Sequence, residues 1–584
     1  MSASSLLDVR RDDPPASTGP PEATKERTRP FGGVRPPRAV WWATALFVAV
    51  LGLWTIAVPA YRAPDEHAHF DLALYLAEGH GYPRYDGRYF GKALDLDQHP
   101  WLVDPTETWP TFDEADAVPR SERRDVEELG GVAPDPHAGI FKGRPDHPYL
   151  YNQMPQHPPL YYYGMAAVLQ AERWLLPGSH PLSLDAELGL LRLANVLLVA
   201  GLPLLAWATA RRLGADDGVG VVAALIPLAF PQLAHVGASV NNDNLFILLG
   251  GVLAVLLAGV ARGRRGWRTD VAVGVVLALA LLTKAFALMF LPWVVAAYGL
   301  AWWRSGRARP AALGGLLAGG IGCVLGFSWW VANWVNVGQP APTTENLTRL
   351  PSQRPPDDAI SPMAFAWTFS GELVARTWAW VGSRNPKFEL PVAVVVVLTV
   401  LVCLAVVRAW RAGTVGRRDI ALALLPVLLV VLFVARRSWG LYETNAKFAF
   451  IQGRYLFGCL VGPCAVVAVG AVRALGTRRA AALVLTAGVA LQADIISAVV
   501  RGSWTGNGSF GAVQGALAWS PWPPAVAYAL VLAALLAAIT TGVAIARLPA
   551  ARVQPDFSTL SRKVVALLRR GAGDEEGRNE AQWS

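Results

Sequence analysis

The residues of this chain that could do chemistry begin with a tight cluster, Pro64-Asp65-Glu66-His67-Ala68-His69-Phe70, directly after a long apolar run. Carboxylates at the mouth of a membrane span are costly unless solvated or paired, so they mark functional sites by default. Pro64 suits a turn, and the spacing of Phe70, Ala73, Leu74 and Ala77 predicts a short interfacial helix. Asp65 then stands at the N-terminus of that helix, aimed back at the membrane surface, as a helix cap, as a catalytic group, or as both. Asp65, His67 and His69 also invite a metal ion. On a helix, however, positions 65 and 69 share a face while 67 points away, so one ion takes all three only from an extended segment. His157 is a further ligand candidate.

Four more groups stand out. In Gln156-His157-Pro158-Pro159-Leu160-Tyr161-Tyr162-Tyr163, two prolines stiffen the chain before an aromatic helix and set where His157 points. The alternative there is an interfacial aromatic belt with a solvated histidine. Asn241-Asn242-Asp243-Asn244 opens an apolar run, where helix capping accounts well for Asn242 and Asp243. Lys284, after Thr283, is isolated between two apolar runs and either snorkels or meets an anion. Lys447 and Gly453-Arg454-Tyr455 place cations at the end of another run, as a phosphate or pyrophosphate site requires. Each of these cations could instead pair with a carboxylate or a lipid headgroup.

The elements that carry these residues follow from composition. The 584 residues are 53% hydrophobic and 16% charged, against about a quarter charged in soluble domains. A span needs about 20 apolar residues. Such runs lie near 39–60, 188–210, 218–236, 243–261, 270–284, 286–303, 311–335, 389–410, 419–435, 453–473, 479–500 and 525–547, so an all-α polytopic membrane protein of about 12 transmembrane helices is expected. Arginines precede the first run, and Arg-rich links recur at 211–212, 262–268, 304–309, 408–418, 473–479 and from 547. The positive-inside rule places these links and both termini in the cytoplasm, provided that residues 159–177 form an interfacial helix and do not cross. It also absorbs the net charge of +9 without a nucleic-acid partner. A disordered segment is expected over 1–38, the transmembrane domain over 39–547 with outer loops at about 61–187, 336–388 and 501–524, and a cytoplasmic tail over 548–584. The tail carries a basic amphipathic helix within 556–570. The long first loop, which bears the interfacial helices, holds most of the histidines and is the expected seat of function. Cys323, Cys403, Cys459 and Cys464 all fall in apolar runs and read as small buried hydrophobes.

Taken in order, these boxes resemble the glycosyltransferase-C superfamily of membrane enzymes. Pro64-Asp65-Glu66 resembles the acidic motif of protein O-mannosyltransferases and aminoarabinose transferases, and Pro64 to Phe70 fits the Pro-Asp-Glu-x-Ala-His-Phe box of a bacterial membrane family of unknown function. His157-Pro158-Pro159-Leu160 is similar to the Lys/His-Pro-Pro-Leu box of those enzymes. Arg192 with Asn195, Asn242-Asp243, Thr283-Lys284 and Gly453-Arg454-Tyr455 follow in the family's order. The resemblance implies a plasma-membrane enzyme that transfers a sugar from a polyprenyl-phosphate-linked donor to a glycan, lipid or protein acceptor at the outer face. It implies Asp65 as general base, with Glu66 positioning the acceptor, holding an ion or supporting Asp65. Lys284, Lys447 and Arg454 would take up the phosphate charge. His69, His157, Asn242, Asp243 and Tyr455 would complete the substrate site. The resemblance leaves a divalent cation open. A transporter or flippase for a lipid-linked glycan is the main alternative, although transporters place their ionisable groups near the midplane. A non-catalytic envelope-assembly protein is the third reading.

Overall fold

In an apolar surrounding only a helix or a closed barrel satisfies every backbone amide within the chain, and these Ala-, Leu- and Val-rich runs take the helical solution. The computed structural model describes residues 35–87, 152–176, 182–343, 360–382, 388–446, 448–504 and 508–548. The disorder expected over 1–38, all but its last residues, and the amphipathic helix within 556–570 lie outside these residues, as does Lys447. In chain order the described helices are α1 (Arg38–Ala57), α2 (Glu66–Ala77), α3 (Leu160–Leu175), α4 (Leu184–Val199), α5 (Leu202–Arg212), α6 (Asp217–Leu225) and α7 (Pro231–Gly237). Then come α8 (Asp243–Ala261), α9 (Trp267–Leu281), α10 (Phe290–Arg304), α11 (Arg309–Gly326), α12 (Ser328–Val337) and α13 (Pro362–Trp378). The last are α14 (Val392–Ala412), α15 (Arg417–Asn445), α16 (Val461–Leu475), α17 (Thr477–Ser503), α18 (Gly508–Trp519) and α19 (Pro524–Ala546). Trp380–Val381 and Phe388–Glu389 form a two-stranded antiparallel pair.

Among the described residues nine helical segments are long and apolar enough to cross a membrane, or eleven if two bent pairs each count as one span. This is the many-span, all-helical architecture expected, with one difference in count. The run at 270–284 forms α9, a helix of 15 residues, or about 22 Å, which falls short of the usual span length. Its C-terminal end nonetheless returns to the level of the start of α8, because Lys284 pairs with Asp243. The stretch 159–177 forms α3, 16 residues long with Glu172 and Arg173 near its end, and it is not among the spans.

Burial separates an inner set of helices from an outer one. In α8, 78% of the apolar window is buried, whereas in the valine-rich α14 only 11% is. An apolar helix with so little protein around it faces lipid. Of the four free cysteines, Cys459 and Cys464 are buried as expected, but Cys403 is exposed on α14 and Cys323 is only half-buried. Apolar runs are buried from water by lipid as well as by protein, which composition does not distinguish.

Two breaks shape the end of the bundle that carries Asp65. Pro231 follows a 73° bend between α6 with its 3-10 extension and α7, and an 81° bend separates the 3-10 segment Gly453–Cys459 from α16. That segment presses on α8, where a Cβ on Gly250 would collide with the Gly458 carbonyl and one on Gly458 with the Phe246 ring. The two glycines thus allow a backbone approach that no larger residue permits, and it brings Arg454 beside the start of α8.

Candidate functional site

Asp65 lies between α1 and α2, held by its neighbours rather than by the helix it precedes. Its backbone is left-handed, at φ 58° and ψ 14°, and its side chain makes no capping hydrogen bond. A non-glycine residue in that region is strained, and such strain concentrates at functional sites. The carboxylate turns instead to Arg454, which donates from Nη2 to Asp65 Oδ2 at 2.6 Å and from Nη1 to the Pro64 carbonyl at 3.4 Å. Asn241 donates to the same carbonyl at 3.0 Å. The Pro64 turn is therefore stitched to two elements far away in sequence.

A second ion pair sits alongside. Lys284 donates to Asp243 Oδ1 at 2.5 Å and to Asn242 Oδ1 at 3.1 Å. Arg454 Nε lies 3.7 Å from Asp243 Oδ2, close enough for charge attraction but too far for a hydrogen bond. Neither of those two buried atoms has a hydrogen-bond partner. The four charges balance formally, yet they are not equally accessible. The Asp65 side chain is 35% exposed, whereas those of Asp243, Lys284 and Arg454 are 1%, 7% and 9% exposed. Asp65 is the acid that meets solvent.

Burial alone would raise the Asp65 carboxyl, but the charge and hydrogen bond of Arg454 outweigh it and hold the group well below the usual carboxylate range. Burial lowers His69, so its ring is neutral at pH 7. Burial, then the charge of Lys284, pushes His157 down to about 3. His69 Nδ1 lies 3.0 Å from the Tyr162 hydroxyl and the two rings stack, while Asn242 reaches that hydroxyl at 3.5 Å. The His157 carbonyl accepts the Tyr82 hydroxyl at 2.7 Å. The Tyr455 ring packs at a tilt against those of Phe286 and Phe450, with the Lys284 ammonium 5.6 Å from its centroid.

Of the residues singled out in the sequence, Asp65, His69, His157, Asn242, Asp243, Lys284, Arg454 and Tyr455 thus converge on one end of the bundle. Glu66 does not join them. Its carboxylate is fully buried and turned away, accepting from Arg192 Nε at 2.9 Å and Nη2 at 2.6 Å. It also accepts the backbone amides of Tyr61 and Val240, both at 3.1 Å. The same arginine donates to the carbonyls of Thr55, Val58 and Pro59 where the chain leaves α1, and the Pro59 carbonyl also accepts the Arg62 amide. Glu66 with Arg192 is therefore the anchor of the turn, not a group facing the cleft, because α2 directs positions 65 and 66 to different sides. Tyr162, which ties His69 to Asn242, was visible in the sequence only as one member of an aromatic triplet. Its position next to His157-Pro158-Pro159 was the available signal.

Among the described residues no group of three or more His, Cys, Asp or Glu side chains is arranged to hold a metal ion. Asp65 and Asp243 each hold a cationic side chain.

Solved structures similar to this chain include ArnT from Cupriavidus metallidurans bound to undecaprenyl phosphate, at 15% identity over 86% of this chain and 75% of that one, TM-score 0.42. The same protein in the apo state gives 15% identity over 86% and 74%, TM-score 0.44. The Archaeoglobus fulgidus oligosaccharyltransferase tethered with an acceptor peptide gives 10% identity over 88% of this chain and 56% of that one, TM-score 0.34. No curated protein matches the sequence. The family described as Predicted membrane protein (DUF2142) matches residues 47–463, well over half of the sequence, and the chain belongs to that family.

Proposed function

We propose that the protein is a membrane glycosyltransferase that moves a sugar from a polyprenyl-phosphate-linked donor to a cell-envelope acceptor at the outer face, with Asp65 as general base. The observation that carries this reading is the half-buried, solvent-reaching Asp65 carboxylate paired with a buried arginine, beside a lysine, at the end of the bundle away from the Arg-rich links. The order of sequence boxes shared with glycosyltransferase-C enzymes supports it.

The chemistry follows from the charges. A donor phosphodiester brings one negative charge, for which Arg454 and Lys284 are the available cations. Arg454 has its Nε unpartnered, so it can turn toward the phosphate, and in doing so it loosens its hold on Asp65. The freed carboxylate accepts the proton of the acceptor hydroxyl or amine as that atom bonds to the anomeric carbon. The anomeric carbon–oxygen bond to phosphate breaks, and the polyprenyl phosphate leaves carrying the electron pair. Its charge is stabilised by Arg454 and Lys284 in a poorly hydrated site, where cations are worth most. A single displacement of this kind inverts the anomeric centre. Neutral His69 and His157 orient groups without adding charge, and Glu66 is a positioning residue that holds the turn bearing Asp65. Lys447 stays a candidate for the donor phosphate.

The test is transfer by purified protein in liposomes across a panel of radiolabelled polyprenyl-phosphate sugars, comparing wild type with Asp65→Asn. Turnover by wild type alone supports the enzyme and names its donor. Labelled lipid that crosses the bilayer without turnover would move the assignment to a transporter.

A further inference from the structure

The Asp65 site leaves unused a second charged cluster, at the opposite end of the bundle. Asp243 opens α8 and Arg262 follows its end, so 19 residues, or about 28 Å of helix, separate the two regions. There Asp419, 1% exposed in the first turn of α15, accepts from Arg262 at 3.1 Å and from Arg304 at 2.7 Å. The same guanidiniums donate to the carbonyls of Leu213 at 3.0 Å and Ala261 at 2.9 Å, which fixes their orientation. Around them opens a cleft of about 590 Å³, lined also by Arg265, Thr414 and Gly416.

One carboxylate does not balance three guanidiniums. Arg265 has a buried Nε without a hydrogen-bond partner, and Asp419 is the one carboxylate among the described residues that line the cleft. Gly416 is the N-cap of the 29-residue α15, whose dipole adds further positive potential at the cleft. A basic link that is merely solvated needs no such convergence on a single buried acid, nor a cavity at its centre.

The surroundings indicate where the matching anion comes from. Trp302 and Trp303, beside Arg304, are 39% and 51% exposed, with the guanidiniums of Arg307 and Arg418 at 5.8 and 3.8 Å from their rings. Exposed indoles of a membrane protein sit at headgroup depth, and basic pockets between spans at that depth receive phosphate-bearing lipid heads. We infer that this cleft is a binding site for the phosphate headgroup of an anionic lipid from the leaflet at the Arg-rich end.

The experiment uses the full chain in nanodiscs of phosphatidylcholine with or without phosphatidylglycerol, reading retained lipid by native mass spectrometry and melting temperature in parallel. Wild type should retain phosphatidylglycerol in preference and melt higher with it. Arg265→Gln removes a charge that no described acid pairs with, so its melting temperature in pure phosphatidylcholine should match wild type. Its preference for phosphatidylglycerol should fall about fivefold, the effect of one arginine charge near a membrane surface. Arg473→Gln, an exposed arginine at the same end but outside the cleft, should keep the full preference. Equal losses in both variants, or none in Arg265→Gln, would overturn the site in favour of diffuse attraction. Inorganic phosphate that stabilises as well as phosphatidylglycerol would overturn the lipid assignment and mark a soluble anion as the ligand.

Discussion

Arg454 and Asp65 stand 389 residues apart and meet at 2.6 Å, so the most exposed acid of the site is held by a buried guanidinium. A carboxylate tied to arginine is a poor base. In the proposed reaction the pair must therefore loosen before Asp65 takes a proton, and the group able to draw Arg454 away is the donor phosphate.

Asp65→Asn keeps the shape of the side chain and removes the base. Transfer should fall by roughly 10²–10⁴-fold, the usual contribution of general base catalysis. Stability should fall by about 1–3 kcal/mol, because the amide still accepts from Arg454 while the buried guanidinium loses its counter-charge. Transfer rates and melting curves on the same preparation check both parts, and undiminished transfer removes Asp65 from the role.

Arg454→Gln should change the pH profile as well as the rate. In wild type the depressed Asp65 pKa means that its charge, and the stability it lends, persist above the ordinary carboxylate value of about 3.9 and are lost only as pH falls through the lower folded value. Without Arg454 the effect of burial dominates and raises the carboxyl. The acid limb of kcat/KM should then move up by about one to two pH units. An unmoved limb would mean that Asp65 is not the titrating base.

Glu66→Ala leaves Arg192 buried without its carboxylate. The loss should be about 3–5 kcal/mol, as for other broken buried pairs, and should appear as a lower melting temperature and poor yield. A Glu66→Gln protein that folds well but transfers no sugar would instead place Glu66 in the chemistry.

Lys284→Met strands Asp243 in the same way, which mixes a stability effect with any effect on the donor. The double variant Lys284→Met/Asp243→Leu removes both charges and should recover most of the lost stability while donor KM stays raised. Full recovery of donor use would show that Lys284 serves Asp243 alone.

Gly250→Ala inserts a methyl where α8 meets the Gly458 carbonyl. Overpacking of this kind costs about 1–3 kcal/mol. Because the displaced segment carries Arg454, kcat should fall further than the loss of folded protein explains. A control at Gly319, where an added Cβ meets nothing within 4 Å, should have no such effect.

Much of this molecule is a local property of its sequence. Apolar run length decides that a segment forms a membrane helix, since transfer free energy and backbone hydrogen bonding are satisfied within some twenty residues. The Pro64-to-Phe70 box, the start of α8 at Asp243 and the lone Lys284 were legible for the same reason, as polar residues set against apolar neighbours. The shortness of α9 was legible as well, since the apolar run at 270–284 has no more residues than the 15 of the helix that forms.

Which charge each residue answers is settled by packing in three dimensions. Asp65 and Glu66 are adjacent and chemically alike, yet one faces solvent with Arg454 and the other is locked under α1 by Arg192. That division depends on a left-handed turn at Asp65, two bent helices and a contact between glycines in separate segments. Periodicity registers none of these, because ion-pair energy falls with distance in space while sequence patterns record only separation along the chain. Residue order is enough to show that the chain spans a membrane and that acids and cations gather at its span ends. Packing alone determined which acid is left exposed.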